Sequence, residues 1–169
     1  MSIASVWART SHALIFAGCA GTAWILLRLL WTRARKVHWK REALLLAAVV
    51  YLAAVTEIIA LRLGYAHRTH GVHWLPLRTT LGEARLGLWP LVYHIVGNAI
   101  WFAPLGVLLR ALKPGIKFTQ VVWIAAGFSA ALELAQLALH SGVADIDDVL
   151  LNALGALAGF YVHRGFSRK

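Results

Sequence analysis

The chain has 169 residues, of which 60% are hydrophobic and only 14% charged. Soluble domains average about 45–50% apolar and about 25% charged, so a water-soluble globule is excluded and a bilayer is the solvent that fits. The formal charge of +10 lies mainly between apolar runs, where the positive-inside rule accounts for it; no nucleic-acid-binding module accompanies it, and nucleic acid is not an expected partner.

About 20 apolar residues cross a bilayer, and five stretches approach that length. In chain order they run from His12 to Trp31, Ala43 to Leu63, Leu91 to Leu112, Phe118 to Leu139 and Asp148 to Val162. The runs are continuous and lack the alternation of a membrane barrel, so they are helices. The first contains Phe16-Ala17-Gly18-Cys19, a faint likeness to a lipoprotein cleavage box, but stays apolar through Trp31 and reads as a true span. Cys19 is the one cysteine, which rules out an internal disulfide. The fifth run is short, opens on acids and is rich in Ala and Gly, as expected of a helix packed closely on others.

Basic residues fall in alternate connections. Arg33, Arg35, Lys36, Lys40 and Arg41 follow the first span, Lys113 and Lys117 the third, and Arg164, Arg168 and Lys169 the last. These segments are expected in the cytoplasm, with the N-terminus outside and the C-terminus inside. The predicted fold is an all-α polytopic transmembrane bundle of about five spans. Residues 1–73 carry two spans and a basic loop, 74–161 a three-span domain, and 162–169 a basic tail. The Gly64–Pro90 loop lies outside with Arg68, Arg78 and Arg85. It also holds His67, His70, His73 and Trp74; His70 and His73 could ligate a metal, but the favoured reading is interfacial side chains beside an aromatic anchor, because no carboxylate or cysteine completes a site.

Ionisable residues inside spans are costly and mark function. Glu57 and Glu133 are two. Ser129, Glu133, Gln136 and His140 follow one another at offsets of four, three and four, one helical face. Asp148, Asn152, Gly155 and Gly159 share another face, and the glycines invite a neighbouring helix. His94, Asn98 and Phe102 line a third, ahead of Pro104 and Gly106. With the orientation above, all three polar faces lie at the outer side, and Glu57 could join them. The expected ligand-binding set is Asn98, Ser129, Glu133, Gln136, Asp145, Asp148 and Asn152. Glu133 and Asp148 are the candidates for catalysis, Glu133 as a general base if burial raises its pKa. Asp145 and Asp148 are the candidates for a divalent cation. The competing structural readings are that Asp145 or Asp147 caps the last helix, and that Asn98 and Gln136 join helices.

These segments resemble the VanZ-like family of bacterial membrane proteins. The matching residues are Asn98-Ala-Ile-Trp-Phe102-Ala-Pro104-Leu-Gly106, Ser129-Ala-Ala-Leu-Glu133-Leu-Ala-Gln136 and Asp145-Ile-Asp-Asp148-Val-Leu-Leu-Asn152-Ala-Leu-Gly155, with Trp74-Leu-Pro76-Leu-Arg78 before them. The resemblance covers roughly Trp74 to Tyr161. It implies a cell-envelope protein of the bacterial cytoplasmic (inner) membrane. The founding member is associated with resistance to the glycopeptide teicoplanin. One departure stands out: relatives usually carry an arginine three residues before the first aspartate of the acidic motif, and here that residue is Gly142. If that arginine binds an anion in relatives, either this protein binds something else or Arg78 or Arg85 substitutes.

Three functions remain open at this stage. One is a site for an envelope lipid, a lipid-linked precursor or a glycopeptide-related ligand at the outer leaflet, with membrane lipids as partners. A second is a small proton-coupled carrier, motivated by Glu57 and Glu133, in which a homodimer would make up for the short chain. The third is a non-catalytic assembly partner whose polar motifs lock helices together.

Overall fold

The computed structural model describes residues 3–31, 38–58 and 71–166. Six helices carry nearly all of the described chain: α1 (Ile3–Trp31), α2 (Trp39–Thr56), α3 (Arg78–Leu86), α4 (Leu88–Leu112), α5 (Phe118–Ala138) and α6 (Ile146–Phe166). Two three-residue strands, β1 (Gly71–His73) and β2 (Val143–Asp145), pair in parallel. The all-α expectation holds. Among the described residues, three helices are long and apolar enough to cross a membrane: Ser11–Arg28 of α1, Leu88–Leu112 and Phe118–Ala138. The described part of α2 opens on Lys40, Arg41 and Glu42, and α6 on Asp147 and Asp148, which dilutes both.

The chain forms two compact units, Met1–Ala66 and His67–Lys169. In the first, α1 and α2 make an antiparallel hairpin. Gly21 faces Val50 and Leu46, and Arg28 forks onto the Glu42 carboxylate, with Nε 2.7 Å from Oε2. Glu57 follows α2 with its side chain 1% exposed and Oε2 lacking a hydrogen-bond partner.

In the second unit α6 lies between α4 and α5, which touch each other little. Small residues set this arrangement. A Cβ on Gly155 would collide with the Ala99 carbonyl, one on Gly159 with that of Ala103, and one on Gly106 with that of Ala156. The α4 and α6 backbones are thus in direct contact over two turns, as the glycine spacing led us to expect. Because Ala99 faces Gly155 and Ala103 faces Gly159, the two helices run parallel. Phe102, Val121, Ala125, Ala156 and Phe160 are almost wholly buried around this seam, and Phe102 packs a tilted ring against Phe128 at 5.8 Å. Helix α4 continues through Pro104.

The Gly64–Pro90 stretch, expected as a loop, holds β1 and α3. Helix α3 is short and polar and buries no residue, so hydropathy did not mark it. Gly87, at φ 131°, separates α3 from α4 in a conformation closed to most side chains. Helix α5 ends earlier than the polar pattern implied. His140 takes a left-handed φ of 52°, its N–H reaches the Leu137 carbonyl, and the Ser141 N–H reaches that of Gln136 at 2.9 Å. This is a Schellman stop. It removes His140 from the face shared by Ser129, Glu133 and Gln136 and leaves it exposed.

Candidate functional site

The polar residues gather where α5 ends and α6 begins. Helices α4 and α6 run parallel, so their N-terminal ends meet there, and the β1–β2 pair with α3 closes the same end. Register pairs His73 with Asp145 and so brings the Trp74 segment onto the acidic motif.

Each acid of that motif has a distinct set of partners. Asp145 Oδ1 accepts the Asp147 N–H at 2.9 Å, the bond of an N-cap on α6. Its Oδ2 accepts the Thr79 hydroxyl and lies 3.2 Å from His73 Nδ1. Its own N–H donates to Glu133 Oε2 at 2.9 Å. Asp145 therefore ties α3, α5, β1 and α6 together while 8% exposed.

Asp147 does not cap its own helix. It reaches across to the start of α3, where it accepts the Leu77 and Thr80 N–H groups and the Thr80 hydroxyl, the last two at 2.9 and 3.0 Å. It is an N-cap supplied in trans, and it holds Leu77 at a left-handed φ of 66°. Burial pushes the Asp147 carboxyl up, but the Thr80 and Leu77 backbone donors and the Thr80 hydroxyl outweigh it and leave the group below the ordinary aspartate value.

Asp148 points elsewhere. Its Oδ1 accepts from Asn98 Nδ2 at 2.8 Å and stands 3.8 Å from His94 Nδ1. Asn98 Nδ2 also donates to the His94 carbonyl at 3.1 Å, which fixes the pair one helical turn apart. The Asp148 side chain is 29% exposed and that of His94 13%. His94 Nε2, the ring nitrogen other than the one nearest Asp148, is buried and has no hydrogen-bond partner. Deeper along α6, Asn152 Nδ2 donates to Ser129 Oγ at 2.8 Å, and Asn152 Oδ1 is buried without a partner.

The sequence-predicted residues thus fall into two groups. Ser129, Glu133, Gln136, Asp145 and Asn152 are buried at the α5–β2–α6 junction. Asn98 and Asp148 form a second, partly open group with His94. Glu57 belongs to the other unit. His67, His70 and Arg68 lie outside the described residues, as do Arg33, Arg35, Lys36, Arg168 and Lys169. His73 departs from the interfacial reading, because a carboxylate 72 residues away in sequence comes to meet it. Among the described residues no group of three or more His, Cys, Asp or Glu side chains could hold a metal ion. Of the two acids named for a cation, Asp145 accepts a protein donor on each oxygen, and Asp148 accepts from Asn98. Arg78 and Arg85, the candidates to replace the family arginine at Gly142, are exposed on α3, and neither pairs with an acid among the described residues.

Thr79 and Thr80 were not anticipated. A Thr-Thr pair after Leu-Pro76-Leu signals a helix start, but the carboxylate that caps it is distant in sequence. His94 was visible through its spacing to Asn98.

The VanZ/LLP1 family model matches residues 43–167, about three-quarters of the chain. No curated protein and no solved structure matches it. The match reaches back from the acidic motif through α4 and α3 into α2, and the chain belongs to the VanZ/LLP1 family.

Proposed function

We propose that this VanZ/LLP1 protein binds an envelope lipid or lipid-linked precursor through His94, Asn98 and Asp148 at the outer end of its helices. The observation that carries the reading is the buried, unpartnered Nε2 of His94, whose other ring nitrogen stands 3.8 Å from a carboxylate that is still partly open. Leaving a buried polar atom unsatisfied costs roughly 1–3 kcal/mol, and a ligand hydroxyl or amide would relieve it. Asp148 accepts hydrogen bonds and disfavours a phosphate, so the recognised part is a hydroxyl- or amide-bearing head, as on a lipid-linked sugar. An apolar cavity of about 470 Å³ at the same end, lined by Ile95, Val122, Leu150 and Leu154 together with Thr80 and Asp147, suits an alkyl chain.

The setting is the inner membrane of a bacterium. Five spans are proposed, with α2 and α6 joining the three apolar helices, the N-terminus outside and the C-terminus in the cytoplasm. The basic residues at the α4–α5 turn and in the last turn of α6 support this orientation. A second reading, a non-catalytic assembly partner, is favoured by Asp145, Asp147 and Asn152, whose hydrogen bonds join elements of the fold.

Native mass spectrometry of wild type, His94→Gln and Asp148→Asn in mild detergent separates the two. A specific lipid that accompanies wild type and vanishes from variants with wild-type melting supports the binding site. Identical lipid content, with earlier melting of the variants, leaves only the assembly reading.

A further inference from the structure

At the opposite end of the same unit, where α4 ends, α5 begins and α6 ends, a cavity of about 520 Å³ is lined by Arg110, Lys117, Thr119 and Arg164, with Phe118 and Phe160 as its apolar wall. The Arg110 guanidinium is held over the Phe160 ring at 5.5 Å, which fixes its direction. None of the three cations pairs with a carboxylate among the described residues. The first turn of α5 adds N–H groups that the helix itself leaves unsatisfied, at the positive end of its dipole. Gln120 turns back to accept the Lys117 N–H at 3.0 Å and so fixes the rim of the cavity.

Basic residues at helix C-termini have an ordinary role. Arg110 and Arg164 complement the negative ends of α4 and α6. That role does not require them to line one cavity together with Lys117 from a third helix. Three cations, a hydroxyl and a helix N-terminus around an open space with an apolar wall are the chemistry of a phosphate bound next to hydrocarbon.

We infer that this cavity is a binding site for a phosphate anion, held by Arg110, Lys117 and Arg164 and distinct from the His94–Asp148 site. The phosphate is either the head of an anionic lipid or a soluble phosphate.

The test uses the full chain in neutral detergent. Lys117→Gln with Arg164→Gln removes two exposed cations and leaves the Arg110–Phe160 contact in place. Lys113→Gln, in the exposed turn outside the cavity lining, controls for general charge. Phosphatidylglycerol is titrated by native mass spectrometry, and inorganic phosphate by calorimetry. The double variant is expected to bind one of the two roughly tenfold or more weakly than wild type, with Lys113→Gln unchanged. A loss confined to phosphatidylglycerol identifies the lipid head, and a loss confined to inorganic phosphate identifies the soluble anion. Equal binding by wild type and double variant overturns the inference, as does an equal loss in Lys113→Gln.

Discussion

The Asp147→Ala substitution tests how the acidic motif holds the fold. Two backbone amides, of Leu77 and Thr80, and the Thr80 hydroxyl end on this one buried carboxylate. A hydrogen bond to a charged group contributes roughly 1.5–3 kcal/mol. Counting the two amides, and allowing water to reach the exposed end of α3, the substitution costs about 3 kcal/mol locally. That raises the opening of α3 roughly a hundredfold. Asp147→Asn is no substitute, because an amide has a single acceptor oxygen and turns its NH2 toward one of the donors; about 2 kcal/mol is expected. Hydrogen exchange read by mass spectrometry should show faster exchange from Leu77 to Leu86, with α5 protected as in wild type. Unchanged exchange at Thr80 would refute the trans cap.

Acid should reproduce part of this effect. The Asp147 pKa is depressed on folding, so its contribution is complete above the ordinary value of 3.8 and is lost as pH falls through the lower folded value; thermal melts below that pH should drop less steeply in Asp147→Asn than in wild type. Gly159→Ala drives a methyl into the Ala103 carbonyl and should cost about 1–3 kcal/mol, whereas Gly127→Ala, which meets nothing within 4 Å, should be neutral or mildly stabilising in the same denaturation assay. A double-mutant cycle on Ser129→Ala and Asn152→Ala should give a coupling of about 0.6–1.7 kcal/mol, the scale of interhelical hydrogen bonds in membranes. Chelation with EDTA should leave the melting temperature unchanged, since the oxygens of Asp145 are occupied by Thr79, His73 and the Asp147 amide.

Helix identity was legible because the cues were local. Continuous apolar runs predicted α4 as Leu91–Leu112 and α5 as Phe118–Leu139, within three residues of the observed ends. Glycines one turn apart predicted the close approach to α6, although not that Ala99 and Ala103 would be the partners. The departure of His140 from the polar face of α5 was not legible, because a His in the left-handed region gives none of the warning that a glycine would. The roles of the acids were hidden for a different reason. Whether an aspartate caps its own helix, caps another or stays open depends on which element lies across from it. Asp145, Asp147 and Asp148 fall within four residues yet do three different things, because each points to a different neighbour: α3 and β1, α3 alone, or α4. The β1–β2 pair that arranges this joins residues 72 apart and is three residues long, too short to leave a periodic trace.

The claim that His94 and Asp148 form a ligand site rests on an unpartnered imidazole nitrogen. Nitrogen-15 NMR of histidine-labelled protein in lipid nanodiscs, with His94 assigned from the resonance missing in His94→Gln, observes that atom directly. On addition of the lipid that co-purifies with wild type, the Nε2 resonance should shift as it gains a partner, and Asp148→Asn should abolish the shift. A lipid that binds while the His94 resonance stays fixed would contradict the site, and would leave the polar ends of α4 and α6 as helix-joining groups only.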